Sequence, residues 1–420
     1  DKSRALRIMM NADALETDET PVFSYSAAQQ ASYERINIEE QARLPENSGF
    51  VLMQSYLDDL YENAPIVIKS AGNARQSETS ETSGPSSVGM GSYVTSDPLA
   101  FSPKTVTIGA TDENTNYASD GTQVIRDYSS YGGAICLTLP DEKGVPMEGT
   151  SYSTPTFAAL TRQMMDWYGH RLDFEEVFAA AAMITSQGIK DFDPFGEAYE
   201  DTEDGQRAVP AEFVTNGAGI AYHGRCGFGY LGKEEIRRWH ALLQDMIEWK
   251  ETRNLDSDTV NRQLRIGEAD YVSTSPDTDT PEYVYTVEIP VDMTLDKLSL
   301  LLPQERFARS GVTVESPSGF EYDLPDTLTQ ASYTRAFSYE DVKVGQELTI
   351  RTGAPLAKGS QVFLYGHEDG NVIQAARNSL KAEDKLYPPL HRLKANEVVG
   401  RLDSDPAHRL TNIHPEAKPQ

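Results

Sequence analysis

The chain has 420 residues, 65 acidic against 37 basic, and a formal net charge of −28. That length exceeds what a single hydrophobic core usually serves, and 39% hydrophobic residues exclude a disordered acidic chain. The acid excess argues against nucleic acid, which needs a basic face, and no apolar run approaches the ~18 residues of a membrane-spanning helix.

Over the first two-thirds, short β-rich runs alternate with helical patterns, the signature of an α/β fold with a parallel sheet flanked by helices. Residues 6–10 and 21–26 read as strands. The spacing of Phe50, Met53, Tyr56, Leu57 and Leu60 predicts a helix opened by Ser48. Residues 64–70 form a buried strand that ends at the turn Ala71-Gly72-Asn73, and residues 104–109 form another. Between them, residues 75–91 are rich in Ser, Thr and Gly without periodicity and read as a surface loop. Pro155 suits the first turn of a helix running to about Trp167. Asp173 and Glu176 make a capping box in front of Phe174, Val177 and an alanine run that Gly188 ends. Residues 233–252 predict a long amphipathic helix with Ile236, Trp239, Leu243, Met246 and Trp249 on one side.

Character changes after about Asn254. Residues 283–289, 298–302, 312–314, 348–350 and 362–364 read as strands separated by turns such as Ser316-Pro317-Ser318-Gly319, an antiparallel β-sandwich pattern. From about Lys381, prolines, scattered charge and His391, His408 and His414 predict an extended arm. The expected organisation is therefore residues 1–255, 256–380 and a tail of 381–420.

The sharpest local feature is Glu148-Gly149-Thr150-Ser151-Tyr152-Ser153-Thr154-Pro155 ahead of an apolar helix. Acyl transfer by a nucleophile needs an exposed hydroxyl on a tight turn and N–H groups aimed at the developing oxyanion, which a helix N-terminus supplies. Gly149 admits close approach of another backbone. The same residues would also serve as ordinary capping chemistry. A second feature, Ser70-Ala71-Gly72-Asn73, ends a buried strand where an Asn amide could donate to the same oxyanion.

Taken together, these segments resemble the subtilisin-like serine peptidases, or subtilases, at several points in the same order. Residues 149–155 are similar to that family's nucleophile motif, with Tyr152 and Ser153 where Met and Ala are usual. Ala71-Gly72-Asn73 is similar to its oxyanion-asparagine turn, and Pro21 to Ser26 to the strand bordering its substrate cleft. Residues 102–110, Tyr128-Ser129-Ser130-Tyr131-Gly132 and Cys226-Gly227-Phe228-Gly229-Tyr230-Leu231 resemble further segments of the same catalytic domain, so the likeness covers roughly residues 6–231. It implies Ser151 as nucleophile, with its own N–H and the Asn73 amide forming the oxyanion hole. Ser24, Tyr25 and Ser26 on one side, and Ser70, Ala71 and Gly72 on the other, would border an extended peptide, with Gly149 and Thr150 beside the scissile bond. Residues 256–380 resemble, through Ser316-Pro317-Ser318-Gly319, the P-domain of kexin-like subtilases, although that region holds no Trp.

The family's triad runs Asp, His, Ser along the chain. Here all seven histidines follow Ser151, the first being His170. The resemblance therefore implies that Asp and His come from an N-terminal segment outside this sequence, either a cleaved fragment of the same protease acting as partner or a part of the chain not included in it. It further implies protein or peptide substrates, no required cofactor, and a secreted, periplasmic or cell-surface location. A kexin-like relationship with the acid excess directs the expectation toward basic residues before the cleaved bond. One rival is an α/β-hydrolase using His223 or His367, whose Gly-x-Ser-x-Gly motif fails at Ser153. Another is an inactive binding or scaffold protein on a degenerate fold of the same kind.

Other features carry less. Asp191-Phe192-Asp193-Pro194-Phe195-Gly196 and the acidic residues after it fail the EF-hand pattern at Phe195 and Thr202 and read as a solvated loop. Calcium elsewhere stays open, with no ligand set to name. Cys136 and Cys226 form no CxxC pair, and either a disulfide or two buried thiols fits them. Gly89-Met90-Gly91 is too short for a phosphate loop.

Overall fold

The computed structural model describes residues 22–25, 66–73, 105–111, 129, 135–140, 149–187, 214–215, 220–222, 226–255, 259–267, 271–274, 281–302, 312–319, 321–324, 332–353, 355–356, 360–368 and 372–382. The strand expected at 6–10, the helix opened by Ser48, the loop at 75–91, Gly188, the acidic run after Asp191 and the region beyond Ala382 lie outside them.

A parallel sheet is built in sequence order from β1 (Val22–Tyr25), β2 (Ile66–Ser70), β3 (Thr105–Thr111) and β4 (Ile135–Pro140). Strands covered on both faces read as continuous apolar or β-branched runs, and every residue of β2 and β3 is buried. Beyond β4, the segment from Cys226 to Leu231 runs alongside it. Phe228 N–H donates to the Cys136 carbonyl at 2.8 Å, and Leu231 N–H to that of Thr138 at 3.0 Å. Cys136 and Cys226 are both buried and are not joined by a disulfide.

Helix α1 (Thr150–Tyr168) packs on this sheet, touching all four strands. It begins at Thr150, so Pro155 stands in its second turn rather than the first turn expected from the sequence. Proline has no N–H, and the carbonyl four residues back, that of Ser151, consequently loses its usual helical donor. Helix α2 (Phe174–Ser186) starts with the expected capping box: Glu176 N–H donates to Asp173 Oδ1 and Asp173 N–H to Glu176 Oε2, each at 2.9 Å. Helix α3 (Lys233–Arg253) buries Ile236, Trp239, Leu243 and Met246, with Trp249 half-buried beside them. Trp239 stacks on Phe157 with ring centroids 6.2 Å apart and donates its indole N–H to Val177 O at 2.8 Å, which ties the three helices together.

A short hairpin, β5 (Val214–Thr215) with β6 (Ala221–Tyr222), precedes α3. After α3 the strands are β7 (Thr259–Arg265), β8 (Tyr271–Thr274), β9 (Pro281–Glu288), β10 (Met293–Leu302), β11 (Val312–Glu315), β12 (Glu321–Leu324), β13 (Ser332–Val342), β14 (Glu347–Thr352) and β15 (Gln361–His367). They form two antiparallel sheets, β13-β10-β15-β7 and β12-β11-β14-β9-β8. One apolar cluster is shared between them, with Leu298, Leu300, Val362 and Leu364 from the first sheet and Val287, Val314, Leu348 and Ile350 from the second. Helix α4 (Val372–Ala382) follows.

The second apolar cluster belongs to the parallel sheet and its helices, yet it also takes in Tyr339 of β13 and Val372, Ile373 and Ala376 of α4. Tyr339 is 2% exposed, adopts a left-handed φ of 52°, and sets its ring 6.1 Å from that of Phe228. A non-glycine residue keeps such a φ only where its surroundings hold it. Here the Arg377 guanidinium donates to the Tyr339 carbonyl. Tyr339→Ala removes the ring and leaves its cavity, so unfolding in urea should show a loss of about 3 kcal/mol or more. An unchanged midpoint would mean that the ring contributes nothing to joining the two halves.

Candidate active site

The candidate residues meet at the C-terminal edge of the parallel sheet, where open α/β sheets place their ligands. Past the end of β2, Ala71 N–H still donates to Ile108 O of β3 at 2.9 Å. Asn73 then forms an antiparallel bridge with Ser129, whose hydroxyl accepts the Ala110 N–H at 3.1 Å. The turn thus leaves the sheet in a fixed direction, with Gly72 at a left-handed φ of 103°.

The N-terminus of α1 arrives at the same point. Its N-cap is Gly149, which has no side chain to satisfy the first-turn N–H groups. Asn73, 77 residues away in sequence, supplies the acceptor: its Oδ1 receives the Thr150 N–H at 2.9 Å and the Thr150 hydroxyl at 2.9 Å. Gly72 N–H in turn donates to Thr150 Oγ1 at 3.2 Å. Two donors on Oδ1 settle which way the amide lies, so Nδ2 is the end left for another acceptor. Nδ2 lies beside Gly149, only 2.6 Å from where a Cβ on that glycine would be.

Ser151 is the second residue of α1 and is half-buried. Tyr152 N–H closes the first turn on Gly149 O at 2.9 Å. Ser153 is fully buried and donates to Leu139 O at 3.0 Å, so its hydroxyl ties α1 to β4. Of the residues singled out in the sequence, the structure gathers Gly72, Asn73, Gly149, Thr150 and Ser151. Ser70 and Ala71 are buried at the end of β2, and the buried Lys69 ammonium donates to Ser70 O at 2.9 Å. Ser24 is exposed and Tyr25 closes β1, while Ser26 lies outside the described residues.

Among the described residues the histidines are His170, His240 and His367. His170 is exposed beyond the C-terminus of α1. His240 lies in the core, stacked on Trp167 with centroids 4.9 Å apart and in contact with the Tyr168 hydroxyl, and burial pushes its pKa down to about 3. His367 faces a carboxylate with each ring nitrogen, Asp173 at 2.7 Å and Asp296 at 2.6 Å, which leaves neither for a serine. His223 lies outside the described residues. No group of three or more His, Cys, Asp or Glu side chains among them is arranged to hold a metal ion, and none of their helices is long and apolar enough to cross a membrane.

Sequence reading missed the anchoring role of Thr150, which joins segments far apart in the chain. A Thr directly before the candidate Ser was the available signal.

No protein-family model and no curated protein sequence matches the chain. Solved structures do. The serine protease of Aeromonas sobria superposes with a TM-score of 0.52 at 13% identity, over 82% of this chain and 71% of that one. The same protease in complex with its chaperone gives a TM-score of 0.50 at 14% identity, over 83% and 71%. Sphericase is a looser likeness, with a TM-score of 0.33 at 17% identity over 54% and 61%. At such identities the likeness is one of fold: this chain has the fold of a serine protease.

Because Nδ2 of Asn73 lies where a Gly149 methyl would go, Gly149→Ala should push the amide aside and break both bonds to Thr150. Denaturant titration should show a loss of about 1–3 kcal/mol, in the range of an overpacked buried site. Adding Asn73→Ala should cost little more, because the shared interaction is already gone. Full additivity of the two losses would contradict this coupling.

Proposed function

We propose that this chain is the larger, serine-bearing part of a subtilisin-like serine endopeptidase. The observation behind this reading is the pinned Asn73 amide, its oxygen held by Thr150 and its nitrogen beside the helix start that carries Ser151. The shared fold with a bacterial serine protease points the same way.

In this reading Ser151 Oγ attacks the carbonyl carbon of the scissile peptide bond, and its proton passes to a histidine supplied by an N-terminal segment, oriented there by an aspartate. The oxyanion accepts hydrogen bonds from Asn73 Nδ2 and from the Ser151 N–H in the first turn of α1. The C–N bond then breaks, the amine leaves with the proton from that histidine, and water hydrolyses the acyl-serine by the reverse sequence of proton transfers. An extended peptide runs past the paired ends of β1 and β2, bordered by Ser24-Tyr25-Ser26 and Ser70-Ala71-Gly72, with Gly149 and Thr150 beside the bond. The acid excess suits peptides that are basic before that bond.

The catalytic domain is read as residues 1–255, followed by a P-domain-like β-sandwich at 256–380 and a tail at 381–420. The Ser316-Pro317-Ser318-Gly319 turn that suggests the P-domain is closed by Gly319 N–H on Ser316 O at 2.9 Å, and the Ser318 hydroxyl donates to Glu340 Oε2 at 2.5 Å. No cofactor enters the chemistry; calcium would act as a structural ligand only. The location is secreted, periplasmic or at the cell surface.

The test uses the protein with its N-terminal segment in place. A fluorophosphonate probe should label it, and Ser151→Ala should abolish labelling. Asn73→Ala should lower kcat about 10²–10³-fold, the usual cost of one oxyanion donor. Residues 1–420 alone should hydrolyse peptides about 10⁶-fold more slowly, as when triad function is lost. A complete protein that neither labels nor cleaves would leave the inactive-scaffold reading.

A further inference from the structure

Away from Ser151, a group of ionisable side chains, most of them buried and Asp173 31% exposed, gathers where the antiparallel sheets meet the helices. His367, the last residue of β15, is fully buried. Its Nε2 lies 2.7 Å from Oδ2 of Asp173, the N-cap of α2, and its Nδ1 lies 2.6 Å from Oδ2 of Asp296 in β10. Asp296 is 1% exposed and meets His367 at ion-pair distance, and among the described residues neither of its carboxylate oxygens has a hydrogen-bond donor, so the charge of the ring is what faces it. Thr259 of β7, the register partner of His367, donates its hydroxyl to Asp173 Oδ2 at 3.1 Å.

A neutral imidazole has one N–H and one lone pair. It can therefore donate to one of these carboxylates, and the other would face a lone pair at short range, Asp296 inside the protein and Asp173 at its edge. One hydrogen bond to Asp173 and one ion-pair contact to Asp296 favour the imidazolium, whose charge is shared between both carboxylates. We propose that His367 is a pH-sensitive latch: as an imidazolium it clamps Asp173 of the helical layer and Asp296 of the antiparallel sheets, and loss of its proton releases one layer from the other.

The remaining charged groups around it set the field. Glu175 and Glu176 of α2 stand beside Asp173. Lys297 of β10 pairs with Glu175 at 2.8 Å, both nearly fully buried, and Lys250 of α3 pairs with Glu176 at 3.3 Å. Four carboxylates thus face three cations, and taking the proton from His367 leaves a buried carboxylate without its partner, the costly case for a buried ion pair.

The titration directions agree with this arrangement. Burial works against a charged His367, but Asp296 and Asp173 override it and raise its pKa well above the usual histidine value. Burial also opposes a charged Asp173, yet the charge and hydrogen bond of His367 hold its pKa below the ordinary carboxylate value. Burial pushes Asp296 up to about 6, and burial together with Asp173 pushes Glu176 up to about 7. A histidine with a raised folded-state pKa gives stability that is complete below its unfolded pKa and is lost as pH rises through the folded value. The latch therefore opens on the alkaline side. Asp173 acts oppositely and gives up its share only in strong acid.

The experiment follows melting temperature from about pH 7 to about pH 10 for the full chain and for Asp296→Asn. The asparagine amide can donate to the lone pair of a neutral His367, so the variant needs no imidazolium. The wild type should lose several degrees more than the variant across that range, and the lysines, tyrosines and thiols that titrate in both cancel in the difference. The imidazole proton signal of His367 should titrate far above the ordinary range in the wild type and near it in the variant. Limited proteolysis at residues 254–258, between α3 and β7, should accelerate with pH in the wild type only. Parallel melting curves, or an ordinary titration of His367 in the folded wild type, would overturn the latch. If Asp296→Asn does not fold, the His367 titration in the wild type decides alone.

Discussion

The candidate site depends on one carbonyl oxygen. Oδ1 of Asn73 takes two hydrogen bonds from Thr150, and through them the last turn after β2 is fastened to the first turn of α1. Gly149 makes this fit possible by leaving space for the amide, and by offering no cap of its own it leaves the helix dependent on a residue from elsewhere. Placement follows from packing below: α1 lies across the sheet through Phe157, Leu160 and Met164, so its N-terminus has little freedom to leave the strand ends. A weak local device is accurate here because a large apolar contact holds both its partners.

Much of this order was legible in the chain, and the physical reason is locality. Strands β2 and β3 are short apolar or β-branched runs bounded by turn residues, and the capping box of α2 needs only Asp173 and Glu176. Each is decided within a few residues, as are the turn that carries Asn73 and the helix start that carries Ser151. Strand β13 was not legible. Its sequence of alternating polar, aromatic and charged residues obeys no clean period, because Ser338 and Tyr339 fall at a break in the ladder with β10 and the Tyr339 ring enters another core. The start of α1 was misjudged for a related reason. Proline usually marks a first turn, but Thr150 is recruited into the helix by Asn73, which sets the true N-terminus five residues before Pro155.

The ionic group around His367 escaped reading altogether. Its members come from α2, α3, β10 and β15, and each has an unremarkable local setting: a capping aspartate, a lysine at a helix end, an aspartate within a strand, a histidine before a turn. Only the long-range register of β15 between β10 and β7 brings the histidine over the start of α2. Such groups are specific rather than strongly stabilising, since desolvating so many charges offsets most of their attraction. They distinguish one way of docking the two layers from its neighbours in register.

The entry of Tyr339, Val372, Ile373 and Ala376 into the first core also bears on synthesis of the chain. A core drawn mainly from residues 66–246 stays open on one side until residue 376 has left the ribosome. During that interval Phe228 and the helices around it must be shielded by something other than their final neighbours. The nascent chain therefore carries an exposed apolar face from residue 246 until residue 376 has emerged, and the early part gains its final form only after the late part has been made.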